Sequence, residues 1–253
     1  MLDSIPPLAD TAPLRIVFLH GSGCGPWIWE EVRHRMEWDS VALSVPSNRP
    51  GTNPELCAAE LLEDPTFPAN GPVVLVLHSL AGVLEAPLVQ ALGNRVLLVV
   101  HIATVAPPPG RTYASTAGFP ANLVLPLLFW LNPRGLMPSP AMLVRQLGED
   151  LSPAQRTEMV ARHRPEQRGL FLEPVPSVQV RVPRAYLMCA NDRCVSPSLQ
   201  ARIAKRLGAH IHSIEAGHLP MLARPVEFVE ILSRSIATAR STSEQRMPAT
   251  SVT

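Results

Sequence analysis

Charge imbalance is the first thing this chain lacks. Twenty-two basic residues stand against 21 acidic ones over 253 residues, a formal net charge of +1. That balance makes no electrostatic case for nucleic acid or an anionic membrane as the main partner. The N-terminus, Met1-Leu2-Asp3-Ser4-Ile5, has no basic start followed by an apolar run, so no secretory signal is expected. Long apolar runs are also missing. The most lipid-like stretch, 123–131, is interrupted by Pro126 and is far too short to span a bilayer. Cysteine is scarce, and Cys24, Cys57, Cys189 and Cys194 have no zinc-type spacing. Free, reduced thiols and a cytoplasmic location are the expectation, with an oxidised Cys189–Cys194 pair the weaker reading. His210-x-His212 has no carboxylate or cysteine at ligand spacing, so it reads as a solvated strand face. No metal or other cofactor is expected, and no internal repeat is found.

What is present suits one large α/β domain, with or without an inserted subdomain. Hydrophobic residues make up 46% and charged residues 17%, which supports a sizeable core and argues against global disorder. Twenty-eight prolines, many in the middle third, should break helices there into short pieces. Apolar runs predict strands over 14–19, 41–45, 73–77, 96–102, 184–189 and 210–214. Helices are expected over 27–36, 54–62, 83–92, 197–207 and 225–236, with Pro54 and Pro225 opening two of them and Ser196 capping another. This alternation predicts a mainly parallel sheet of about six strands with helices on both faces. The domain reading is a core of residues 1–103 and 181–238. A helical cap insertion over 104–180 lies between its halves, with helical patches near 121–131, 140–147 and 152–162. Residues 1–13 are expected to cover the surface, and the Ser/Thr-rich residues 239–253 to be disordered.

The chemistry gathers around residues 73–82, Val-Val-Leu-Val-Leu-His-Ser-Leu-Ala-Gly. A strand, a serine, small residues and then a helix make the context of a nucleophile elbow. There a sharp turn lifts the serine oxygen above the sheet. The usual pattern is Gly-x-Ser-x-Gly; here Leu77 fills the first small position, Ala81 the second, and Gly82 follows. A serine hydroxyl needs a base, the base needs an orienting acid, and the oxyanion needs donors. His218, in a loop after the last strand, is the candidate base. Asp192, at the C-terminal end of strand 184–189, is the candidate acid, and no acid follows the preceding strand. The glycine-rich loop after the first strand can turn N–H groups inward, which makes Ser22 N–H and Leu80 N–H the expected oxyanion donors. The order Ser79, Asp192, His218 is the order this architecture uses.

On those residues the chain resembles the α/β-hydrolase superfamily over about residues 14–236. His20-Gly21-Ser22-Gly23-Cys24-Gly25-Pro26-Trp27-Ile28-Trp29 resembles the opening of its methylesterase and hydroxynitrile-lyase branch. The resemblance implies a catalytic Ser79–Asp192–His218 triad acting without a cofactor on a small-molecule substrate. In the lyases of this branch a threonine follows the first-loop histidine and a lysine follows the catalytic histidine. Gly21 and Leu219 stand at those positions here, which favours ester hydrolysis over carbon–carbon chemistry. His20, Gly21, His78 and Leu219, with Leu127, Phe129 and Trp130 from the insertion, are the expected substrate-pocket residues.

Other readings are weaker. Gly21-x-Gly23-x-Gly25 after a strand invites a dinucleotide site, but Pro26 and Trp27 follow where a closely packed glycine is needed. The next strand also ends without an acid for a ribose. A non-catalytic binding protein on the same fold is the alternative from another class. His163, among Arg162, Arg164 and Arg168, reads as a solvated helix end. The expectation is a serine hydrolase acting on a small, mostly apolar carboxylic ester or lactone through an acyl-enzyme.

Overall fold

The computed structural model describes residues 12–246. In chain order it contains β1 (Arg15–Leu19), α1 (Glu30–Arg35), β2 (Ser40–Leu43), α2 (Pro54–Glu63), β3 (Val73–His78), α3 (Glu85–Leu92) and β4 (Val96–Ile102). Next come five helices: α4 (Tyr113–Thr116), α5 (Ala121–Leu131), α6 (Pro140–Leu147), α7 (Pro153–Arg162) and α8 (Gly169–Leu172). The chain closes with β5 (Arg184–Cys189), α9 (Pro197–Leu207), β6 (His210–Ile214), α10 (Pro220–Ala223) and α11 (Pro225–Arg246). The six strands form one sheet in the order β2-β1-β3-β4-β5-β6, and every neighbouring pair is parallel. All the βα crossovers therefore leave from one edge, where ligands bind in folds of this class.

Strand alternation divides the core in two. Val17, Leu19, Leu75 and Leu77 face the side covered by α2, α3 and α9. Ile16, Phe18, Val74 and Val76 face the side covered by α1 and α11. The segment between β4 and β5 packs into both: Phe129 and Phe171 join the first cluster, and Leu143, Leu147 and Met159 the second. β3 is buried at all six residues, so its end is a rigid platform for Ser79. Leu77 is also fully buried, so the residue that departs from the elbow pattern is absorbed by the core.

Three local differences from the sequence reading have physical reasons. β2 ends at Leu43 rather than at 45, because the Val45 N–H donates to His20 Nε2 instead of to the ladder. The elbow helix begins as a 3₁₀ turn, Ser79–Leu84, before α3. The last helix runs to Arg246, so residues 239–246 of the expected disordered tail are helical. Its Ser/Thr hydroxyls donate to carbonyls one turn back, Thr238 to Arg234 and Ser241 to Ala237, and Ala239 is buried. Residues 1–11 and 247–253 lie outside the described residues. The four cysteines are free; Cys24, Cys57 and Cys189 are buried and Cys194 is exposed.

Candidate active site

Ser79 follows β3 directly, with φ +52°, a left-handed backbone that a serine rarely adopts. Such a conformation costs on the order of 1–3 kcal/mol and is kept only where the surroundings enforce it. They do so here. A Cβ on Gly82 would overlap Thr104 Cγ2, so only glycine lets the elbow helix come this close to the end of β4. Thr104 donates its hydroxyl to the Leu77 carbonyl at 2.9 Å, pinning the strand just before the turn.

Asp192 and His218 leave β5 and β6 at the same edge. His218 Nδ1 lies 2.7 Å from Asp192 Oδ2, and both residues are buried. The carboxylate is fully engaged. Oδ1 accepts from the Cys194 and Val195 N–H groups at 2.7 and 2.9 Å, and Oδ2 also accepts from Gln200 Nε2 at 3.1 Å. Gln200, fully buried on α9, also takes the Cys189 N–H and donates to the Val195 carbonyl, so it locks the loop that carries Asp192.

His78 joins the other two loops. Its Nδ1 accepts from the Gly21 N–H at 3.2 Å, so the ring proton sits on Nε2, which donates to the His218 carbonyl at 2.9 Å. Burial holds its pKa well below the ordinary value, and the neighbouring His218 lowers it further. His20 is spent in the same way. Nε2 accepts from Val45 N–H, Nδ1–H donates to the Gly21 carbonyl, and burial brings its pKa down to about 4. Gly21 itself lies against the elbow: a Cβ there would stand 2.7 Å from Ser79 Cβ.

The pocket residues expected from the sequence divide sharply. His20 and His78 hold the loops with both ring nitrogens, and His20 also lines a cavity beside the glycine-rich loop. Leu219 is a core residue with no exposure. Leu127 and Trp130 are 55% and 76% exposed and face away from the fold, because α5 turns Phe129 inward instead. Phe129 packs on Phe171, which packs on Tyr113 with ring centres 5.2 and 5.1 Å apart. Burial raises the Tyr113 phenol, with Cys194 and Asp192 raising it further against a lowering from the neighbouring Ser79 hydroxyl. Tyr113 is one of the site residues the sequence reading missed. The Thr112–Ser115 capping box that starts α4 was its only local signal. His163 stands at the C-terminal end of α7 as expected but is half-buried, with its ring against Gly23.

Two cavities flank these groups. One of about 440 Å³ lies by the glycine-rich loop and is lined by His20, Cys24, Trp27, Ser47, His163 and Glu166. One of about 120 Å³ touches His218, Gly217, Asp150 and Arg193. Among the described residues no group of three or more metal-binding side chains gathers, and no helix is long and apolar enough to cross a membrane.

A model of the alpha/beta hydrolase family matches residues 16–231. The chain belongs to the alpha/beta hydrolase family. It is similar to norfluorocurarine synthase 2 of Strychnos sp, 22% identical over 264 residues, covering 88% of this chain and 95% of that one. Of solved structures, it is similar to a mutant of polyneuridine aldehyde esterase, with TM-score 0.71 and 18% identity over 87% of this chain and 98% of that one. It is similar also to a pyrethroid hydrolase from Sphingobium faniae, with TM-score 0.70 and 19% identity over 90% and 99%. At these identities the shared property is the α/β-hydrolase fold.

Proposed function

We propose that this alpha/beta hydrolase is a cofactor-free serine esterase for a small, mostly apolar carboxylic ester or lactone, with the α4–α8 segment as its cap. The observation that carries the reading is the strained Ser79 at the end of β3, with the bonded Asp192–His218 pair on neighbouring loops. In this mechanism Asp192 holds the His218 proton on Nδ1, leaving Nε2 to take the Ser79 proton as Oγ attacks the carbonyl carbon. His218 then returns that proton to the leaving alcohol, and an acyl-Ser79 ester remains. Water, deprotonated by His218, attacks the acyl carbon and releases the acid and Ser79.

The developing oxyanion is bound by the N–H groups of Ser22 and Leu80. Support comes from elimination: no hydrogen bond among the described residues uses either N–H. The apolar wall Tyr113–Phe171–Phe129 beside Ser79 favours an apolar acyl or alcohol group. The names of the similar structures, an esterase and a pyrethroid hydrolase, agree with ester cleavage. Cytoplasmic location, suggested by four free cysteines, belongs to the same proposal.

The test is a burst assay with p-nitrophenyl esters of increasing chain length. Wild type should release about one equivalent in the burst, and Ser79→Ala should lose the burst and about 10⁴–10⁶ of turnover. Near-normal turnover in Ser79→Ala would sink the assignment. Absence of a burst with every ester, together with ligand-dependent thermal stabilisation, would turn the reading to a binding protein.

A further inference from the structure

We infer that Glu166, contributed by the loop between α7 and α8, is a positioning residue that fixes the shape of the turn carrying the Ser22 N–H. The inference rests on the reading above that this N–H is an oxyanion donor.

Residues Gly21–Cys24 form a tight turn closed by the Cys24 N–H donating to the Gly21 carbonyl at 3.3 Å. Gly23 is its third residue, at φ +68°, the value that a type II turn requires there. The central peptide of such a turn is its soft point. With glycine third, that peptide can rotate between the type I and type II forms with little steric resistance. Such a flip exchanges the Ser22 carbonyl and the Gly23 N–H across the turn; the Ser22 N–H, in the peptide just before, keeps its place only while the turn keeps its shape.

Glu166 blocks that flip. Its Oε1 accepts from the Gly23 N–H, which belongs to the central peptide, at 2.6 Å. The Gly23 carbonyl accepts from the Arg164 N–H at 2.9 Å, and the His163 ring covers the open face of the glycine. The loop N–H groups of Gly21, Gly23 and Cys24 are thus all committed, and Ser22's remains for a ligand. Glu166 is itself fixed. Its main chain pairs with Leu136 in both directions at 2.8 and 2.9 Å, and Ser47 donates its hydroxyl to the same Oε1 at 2.9 Å.

A merely structural role explains this carboxyl poorly. It is buried, and Oε2 has no partner among the described residues. Burial raises its pKa to about 7 against the lowering from its Gly23 and Ser47 bonds, so the fold bears a cost to keep it. The groups facing it are Gly23 and Ser47, with His163, Arg164, His20 and Cys24 lining the same cavity.

The experiment uses the full chain, an ester that the wild type cleaves, and a trifluoromethyl ketone with the same acyl chain, which adds to a nucleophilic serine and mimics the oxyanion. Glu166→Ala should lower kcat by roughly 30-fold and weaken ketone inhibition by a similar factor, with KM changed less than about twofold. Glu166→Gln, which keeps an acceptor oxygen for Gly23, should recover most of both. Should Glu166→Ala not fold, Glu166→Met fills the space without an acceptor and carries the same expectation. Unchanged kcat and ketone affinity in the Ala or Met variant, with Ser79→Ala inactive, would overturn the role of Glu166 alone. Turnover that survives in Ser79→Ala would instead strike the hydrolase reading beneath it.

Discussion

Gly23 and Gly217 stand in matching places. Each lies in a loop beside a proposed catalytic group, and each donates its N–H to a carboxylate of the α4–α8 segment at 2.6 Å. The carboxylates differ. Glu166 reaches Gly23 from inside the protein, whereas Asp150 reaches Gly217 from an exposed position. An exposed hydrogen-bonded charge is screened and contributes little. A buried one is strong, sensitive to pH and costly to leave unpaired. The loops differ in the same sense. The His218 loop is also held by Asp192, by His78 and by the buried Leu219, so Asp150 is one support among several. The glycine-rich loop has no side chain anchored in the core between Gly21 and Gly23, and depends on what grips its backbone.

The largest break in this comparison comes from His78, which serves both loops at once. His78→Phe keeps a ring in place but leaves the Gly21 N–H and the His218 carbonyl buried without their partner. That should cost about 2–5 kcal/mol of stability and at least 100-fold in turnover. Denaturant unfolding beside the burst assay measures both; a variant with normal stability would show that the two loops stand independently.

The glycines themselves sharpen the contrast. Gly23→Ala meets a positive φ and the His163 ring together, so turnover should fall roughly 10–100-fold. At Gly217 a Cβ would stand 2.8 Å from Asp150 Oδ1, the end of an exposed side chain that can move aside. Gly217→Ala should therefore cost less than about fivefold. Equal losses would mean that the exposed grip matters as much as the buried one.

The smallest effect on turnover is expected from Glu166→Gln, whose signature lies in stability. Burial lifts the Glu166 carboxyl from 4.5 to about 7, so the native protein binds more protons than the unfolded chain between those values. Its stability therefore falls as pH rises through that window. Gln has no proton to lose. The variant should match wild type below pH about 4.5 and exceed it by ~3 kcal/mol above pH about 7. Thermal unfolding at pH 5 and pH 8.5 reads the difference, and a constant gap would show that Glu166 is not the titrating group.

Much of the fold was legible because it rests on local pattern. Runs such as Val73–Leu77 and Val96–Ile102 can only be strands buried on both faces, and proline or serine marks the start of most helices. Asp192 and His218 could be proposed because both follow strands directly, and parallel strands deliver their ends to one edge. Glu166, Asp150, Gln200 and Tyr113 were not legible. Glu166, Asp150 and Tyr113 act on residues far away in sequence and lie in a proline-rich stretch without a clear period, while Gln200, only eight residues from Asp192, sits in a helix whose pattern does not mark it. α5 shows the limit from the other side. It is apolar all round, so its composition could not say that Phe129 turns inward while Leu127 and Trp130 turn out. The helical end of α11 was missed because Ser and Thr were read as disorder, although their hydroxyls find carbonyls within the helix.

The closeness of Gly21 to Ser79 bears on how this scaffold can diversify. Any side chain at Gly21 would need a Cβ where Ser79 Cβ and His78 Nδ1 already stand, at 2.7 and 2.9 Å. A substitution there forces the loop or the elbow to shift, and strains the bond that the Gly21 N–H makes to His78. Mutational routes to new chemistry therefore begin in the α4–α8 segment, where α5 presents exposed positions, and reach the loop last.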